Sequence, residues 1–163
     1  MGKIFNKIYV LLLVVLVTGC ASNAPKFNEV KVNFDSVDPN NGRVYLYRPS
    51  KFFGGGITPK LILNGTNIGE LESGSFFFID RPEGKYRIES RVDSVMSAPN
   101  PENQLDFTLA KGETKYIKFA ITSVGYAILL VRVASPVMHP EIANKKDALV
   151  ELVELPYIAS SVR

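Results

Sequence analysis

The strongest constraint on the fold is a series of short apolar runs, each closed by a turn signal. Leu61–Leu63 leads into Asn64-Gly65, a pair that tolerates positive φ and favours a two-residue hairpin turn. Pro82-Glu83-Gly84 closes a later run, because proline presets φ and glycine accepts the left-handed position. Short strands joined by tight turns are therefore expected along most of the chain.

Alternation of apolar and polar residues is clearest in residues 85–92, where Tyr86, Ile88 and Val92 fall on one face and charged residues on the other. Further strand-like runs are residues 43–48, 61–63, 67–71, 75–80, 105–109, 117–121 and 127–134, with a break at Ser123-Val124-Gly125. Helical runs do not separate consecutive strands, which argues against parallel β/α architecture. We predict a mainly all-β fold: an antiparallel β-sandwich of about seven or eight strands.

The C-terminal segment has a different period. Apolar residues between residues 142 and 153 recur at helical spacing, which favours a short amphipathic helix ending before Pro156. A last strand over residues 148–155 is the alternative. The only histidine, His139, is expected in a proline-rich surface turn between Pro136 and Pro140.

The N-terminus has the three parts of a secretory signal. Two lysines precede the apolar run Ile8–Val17, and Val17-Thr18-Gly19 before Cys20 looks like a bacterial lipobox. The apolar run of about ten residues is too short for a spanning helix, so an uncleaved anchor is the weaker alternative. We predict a signal peptide over residues 1–19 and a mature chain that begins with Cys20. That cysteine would carry diacylglyceryl and N-acyl groups as its only prosthetic chemistry, without any other cofactor.

Processing would change the size and charge of the chain. Loss of 19 of the 163 residues leaves 144, the usual size of one domain. It also removes Lys3 and Lys7, so 17 of the 19 basic residues face 16 acidic ones. Such a balance gives no case for nucleic acid. In enteric-type sorting, an aspartate after the lipidated cysteine favours retention in the inner membrane. This chain has Ala21 at that position, so we expect an anchor in the outer membrane facing the periplasm.

We divide the mature chain into a lipidated tether over residues 20–41 and one sandwich domain over residues 42–163. The tether is rich in asparagine, aspartate, serine and proline, and as a flexible coil it would span about 25 Å. Val30, Val32 and Phe34 alternate with polar residues, so part of it could instead dock as an edge strand.

The run Phe119–Val131 is the most apolar part of the mature chain. It is about 13 residues long, flanked by Lys118 and Arg132 and interrupted by Gly125. A membrane span needs about twenty residues, so two buried strands fit this run better.

Three motifs together resemble a known family. They are the run Arg43–Pro49 soon after a lipobox, Leu63-Asn64-Gly65 with Ile68–Leu71, and Ser73–Phe77 leading to Pro82–Tyr86. This combination resembles bacterial lipoproteins of the DUF2846 type, a domain of unknown function. The turn at Gly84 and Tyr86 is also similar to PEGA-type surface β-sandwich modules. The resemblance implies a secreted, lipid-anchored β-sandwich, and it supplies no activity or catalytic residues to transfer.

Reactive side chains are sparse. One histidine and one acylated cysteine leave no Cys/His metal cluster and no nucleophile–base pair. Glu70 with Glu72, or Asp80 with Glu83, could act as carboxylate pairs in an enzyme acting on envelope material. Their sequence contexts fit an exposed strand face and a turn better, so we expect no enzyme.

The best candidate contact site is a loop that combines cationic and aromatic residues, namely Arg48, Lys51, Phe52 and Phe53 beside Gly54–Gly56. Such a loop can stack on sugars or enter a groove of a partner. The alternative packs one phenylalanine into the sandwich edge and leaves the basic residues in solvent. Overall we expect a membrane-anchored, non-enzymatic envelope module that binds a protein or glycan. A carboxylate-dependent enzyme or an accessory subunit of an envelope machine are the alternatives.

Overall fold

The computed structural model describes residues 24–31, 37–51, 54–92, 101–128 and 131–160. In chain order these residues form α1 (Phe27–Val30), β1 (Asn41–Arg48), β2 (Lys60–Leu63), β3 (Thr66–Glu70), β4 (Ser75–Pro82), β5 (Gly84–Arg91), a 3-10 turn (Pro101–Asn103), β6 (Gln104–Leu109), β7 (Thr114–Ile128), β8 (Val131–Ile142) and α2 (Lys145–Leu152). Within these ranges, no helix has the length and apolar content needed to cross a membrane.

The strands form two four-stranded sheets. The first has the order β4-β1-β7-β8 and the second the order β3-β2-β5-β6. Neighbouring strands are antiparallel except for β1 and β7, which run parallel. The predicted mainly-β fold is therefore confirmed, with one parallel pair inside an otherwise antiparallel arrangement.

The main core lies between the two sheets. Val44 and Leu46 of β1 and Phe77 of β4 face Leu61 of β2 and Ile88 of β5, and each of these side chains is almost fully buried. Their spacing follows the two-residue period of a strand, which puts alternate residues on opposite faces. Apolar burial on this scale replaces disulfides as the source of stability.

A second cluster covers the outer face of the first sheet. Tyr45, Tyr47 and Phe76 point away from the main core and are buried beneath α1 and α2. Their ring contacts include Phe27 with Phe76 at 5.3 Å and Tyr45 stacked on Tyr116 at 5.4 Å. The first sheet is thus covered on both sides, which explains why β1 and β4 lack regular polar alternation.

The N-terminal segment of the described chain packs on this outer layer. Phe27 is buried, its N–H donates to the carbonyl of Leu155 at 2.9 Å, and the N–H of Tyr157 donates to the carbonyl of Pro25 at 2.9 Å. Part of the predicted tether therefore docks on the domain, and residues 27–30 of it form a helical turn that includes Val30. Val32 and Phe34 lie outside the described residues.

The hairpin of β7 and β8 differs from the predicted pattern. β7 continues through Gly125 to Ile128, and β8 continues through Pro136 and Pro140 to Ile142. The predicted break at residues 123–125 and the proline-rich turn around His139 are therefore wrong. β8 is the edge strand of its sheet, and an edge strand tolerates proline wherever the missing N–H faces outward.

The C-terminal segment forms the predicted helix and not the alternative strand. In α2 the side chain of Asn144 caps the first turn by accepting from the N–H of Asp147 at 3.0 Å. Ala148 and Leu152 face the outer cluster and are fully buried. The predicted helix is therefore confirmed, but of the apolar residues that indicated it only Leu152 is fully buried; Val153 is 37% exposed and Ile142 belongs to β8.

Candidate functional site

The candidate site begins where β1 ends and β7 continues. The parallel pairing runs from Arg43↔Thr114 to Tyr47↔Lys118 and stops there. In this register the next donor on β1 would be the N–H of residue 49, and Pro49 has none. β7 extends a further ten residues, Phe119–Ile128, with β8 beside it along its other edge.

A cleft of about 190 Å³ lies at this junction. One side of the cleft is formed by the end of β1 and the residues after it, namely Arg48, Pro49 and Lys51. The other side is formed by the middle of β7, namely Lys118, Phe119, Ala120 and Ile121. Three of these seven side chains are cationic and none is acidic. The carboxylate of Glu151 pairs with Lys118 from outside this lining, so the net positive charge of the cleft comes from Arg48 and Lys51, beside an apolar floor.

Arg48 is placed differently from its predicted role as a surface contact. It has the inward orientation of Val44 and Leu46, and only 2% of it is exposed. Its guanidinium donates to the carbonyls of Gly54 at 2.7 Å and Ile57 at 2.5 Å. Burial lowers the pKa of Arg48 because the charged form is desolvated. Arg48 thus fastens the glycine loop and brings a buried positive charge to the base of the cleft.

The two lysines of the cleft differ in their partners. Lys51 is exposed, and its backbone N–H contacts the hydroxyl of Ser73 at 3.4 Å. Lys118 donates to Glu151 at 2.5 Å, and the same carboxylate accepts from the hydroxyl of Tyr47 at 2.8 Å. The pKa of Tyr47 is raised, first by burial and then by its hydrogen bond to Glu151. Lys118 is therefore fixed by α2, whereas Lys51 extends from the rim.

The glycine loop closes directly over the apolar floor. Gly54 has φ +76° and lies against the side chain of Ile121. Phe119 is 1% exposed and belongs to the main core. Phe52 and Phe53, the aromatic part of the predicted contact loop, lie outside the described residues, as does Cys20.

The carboxylates considered for catalysis are not gathered in this cleft. Asp80 accepts from Arg43 at 2.7 Å through each of its two oxygens. Glu70, Glu72 and Glu83 are exposed. In the part of the chain that the structure describes, no group of three metal-ligating side chains occurs. These positions lend no support to the carboxylate-dependent alternative.

Lys118 and the edge of β7 are the parts of the site that sequence reasoning missed. Pro49 indicates in the sequence that β1 ends there. The residues around Pro49 do not indicate that β7, the strand paired with β1, continues beyond this point. That relationship joins residues about seventy positions apart, and it appears only when the pairing of Tyr47 with Lys118 is known.

The fold and the cleft define a class of domain: a β-sandwich with a helical layer over one sheet and a cationic cleft at the end of a short central strand. The family model described as "Protein of unknown function (DUF2846)" matches residues 38–130, more than half of the chain, and the protein belongs to this family. Comparison with curated proteins and with solved structures gave no match.

Proposed function

We propose that this protein is a lipid-anchored envelope lipoprotein whose sandwich is a non-enzymatic binding module for an anionic group on a protein or envelope polymer. The observation that carries the binding role is the cleft, which has Arg48, Lys51 and Lys118 in its lining and no carboxylate. Cationic side chains around an apolar floor favour a carboxylate or another anion next to an apolar group.

The anchoring role rests on the sequence Val17-Thr18-Gly19-Cys20. The docked segment adds a geometric consequence, because the chain is already fixed to the domain at Pro25. Four residues lie between Cys20 and Pro25, so the two Cα atoms are five steps apart along the chain and at most about 18 Å from each other. The outer layer of α1 and α2 would then be held near the membrane, and the likeness to PEGA-type surface modules fits this placement.

The test uses the lysine at the rim. A photo-crosslinking amino acid replaces Lys51 in cells that express the full chain, and the matched control replaces Lys85, an exposed lysine on the second sheet. We expect a discrete crosslinked species from position 51 and none from position 85. We further expect Lys118→Glu to reduce the crosslink, because it reverses one charge of the cleft. Equal crosslinking at both positions, or none at 51, would contradict the proposal.

A further inference from the structure

Beyond Lys118, one edge of β7 has no strand partner among the residues that the structure describes. β8 pairs with one side of this strand as far as Ile128↔Val131. The carbonyl of Tyr116 accepts from the N–H of Ala143 at 2.9 Å, so even-numbered positions of β7 face the β8 side. Odd-numbered positions, from the carbonyl of Phe119 to residue 127, therefore face the other side. We call this side the open edge of β7, and among the described strands none pairs with it beyond Lys118.

The outer edge of β8, on the side away from β7, is poorly suited to pair with a further strand. Pro136 and Pro140 have no N–H, and the carbonyl of Met138 between them accepts from the hydroxyl of Ser90 at 2.6 Å. These alternate positions lie on the side of β8 away from β7. Prolines and occupied carbonyls are devices that prevent strand addition at an edge. The segment Phe119–Ile128 of β7 contains no proline and no charged residue. One edge of the hairpin is blocked, and the other is left able to pair.

The chemistry of the site selects among occupants of the open edge. A lipid bilayer would leave its backbone groups without hydrogen bonds, which is costly in hydrocarbon. A second copy would bring the same uncharged β7 segment and no carboxylate for the cleft. A strand that pairs with the open edge and ends in the cleft would satisfy the backbone and meet Lys51, the exposed lysine of the cleft, with a negative charge.

We propose that an extended segment of a partner protein adds as a strand to the open edge of β7, with a carboxylate in the cleft. β7 runs from the cleft at Lys118 outward to Ile128, so a strand whose C-terminal end reaches the cleft is antiparallel to it. Main-chain hydrogen bonds give affinity in this mode, and the cleft gives specificity. The inference rests on the proposed binding function and names its partner as an apolar, extended peptide with a carboxylate at or near its C-terminus.

The test uses a synthetic probe and the mature chain in detergent. The probe is a fluorescent peptide of about eight residues, alternating valine and threonine, with a free C-terminal carboxylate. A second probe has a C-terminal amide, and a third has glutamate at its last position followed by an amide. We expect the free carboxylate to bind at least about tenfold more tightly than the amide, because a charge-assisted bond contributes on that scale. Rescue by glutamate would show that an acidic side chain suffices.

Two proline variants locate the pairing edge. Ser123→Pro removes an N–H from the open edge of β7, whereas Ala134→Pro removes one from the outer edge of β8, two cross-strand pairs further along the hairpin. We expect Ser123→Pro to weaken the probe by at least about tenfold and Ala134→Pro to leave it unchanged. Thermal melting confirms that both variants fold, and a variant that unfolds is replaced by N-methylation of alternate probe residues.

The possible results distinguish strand addition by a partner, pairing with a second copy and the proposed binding function. No probe binding up to millimolar concentration, or equal loss in both proline variants, overturns strand addition. A dimer that Ser123→Pro converts to monomer assigns the edge to a second copy and also overturns it. Failure of the probe with crosslinking at residue 51 retained would leave the proposed function standing without this mode of binding.

Discussion

Gly54 lies directly on Ile121: a Cβ at residue 54 would stand 2.3 Å from Cδ1 of Ile121. The loop that borders the cleft can therefore close only around a glycine, and the backbone at Gly54 also has a positive φ of 76°. Steric contact and backbone conformation both fix the same residue type at this position.

This contact predicts the effect of Gly54→Ala. The substitution is expected to destabilise the protein by about 1 to 3 kcal/mol and to widen the cleft, because the loop must move off Ile121. Gly56→Ala is the matched control, since a Cβ there meets nothing within 4 Å. Urea unfolding of both variants measures the difference. Equal stability of the two would show that the loop is not held against β7.

Tyr47 predicts a loss of stability in alkali. Burial and Glu151 raise its folded pKa above the ordinary value of 10.0, so the folded state keeps its proton where the unfolded chain releases it. The unfolded state then binds fewer protons, and the free energy of unfolding falls above pH 10 by about 1.4 kcal/mol per pH unit. Burial also raises the pKa of Tyr116, which contributes in the same direction.

The substitution Tyr47→Phe isolates the contribution of Tyr47 to the loss of stability in alkali. At pH 8 it should cost about 1 kcal/mol, the net value of a lost hydrogen bond, while Glu151 keeps Lys118 as a partner. Between pH 10 and pH 11 the variant should lose stability less steeply than the parent protein. Urea titrations at pH 8, 10 and 11 provide the test, and parallel slopes in the two proteins would refute the assignment.

Phe27 predicts how firmly the N-terminal segment is attached. Phe27→Ala deletes a ring packed against Tyr45 and Phe76 and should cost about 3 kcal/mol. It should also speed cleavage by trypsin after Lys26 and Lys31. Asn28→Ala, at the exposed neighbouring position, is the control and should change neither measurement. A Phe27→Ala protein of unchanged stability would mean that residues 24–31 are not part of the folded domain.

Cys20→Ser tests the anchor. It should leave the precursor uncut and unlabelled by palmitate analogues, because the sulfur that receives the diacylglyceryl group is lost. Mass spectrometry of the parent protein should find both lipid groups on Cys20. Normal labelling of the serine variant would refute lipidation at this residue and leave the cleft unaffected.

Most of the strands could be predicted because their signals are local. Asn64-Gly65 turns the chain with positive φ at both residues, and β5 alternates as its sequence does. The limits of β7 and β8 could not be found in this way. Gly125 resembles a break until β7 is seen to pair with β8 through it, and Pro136 resembles a turn until β8 is known to be an edge strand, where proline is tolerated.

The candidate site divides in the same manner. The sequence by itself determined that Arg48 and Lys51 are close to a glycine loop and that Cys20 follows an apolar run and Val17-Thr18-Gly19, since adjacency along the chain suffices for both. Only the tertiary structure decided that Arg48 is buried and bonded to backbone carbonyls, that Lys118 lines the cleft and that β7 extends beyond the end of β1. The physical reason is that turns and alternation are encoded over a few residues, whereas strand pairing and burial depend on which distant segments meet.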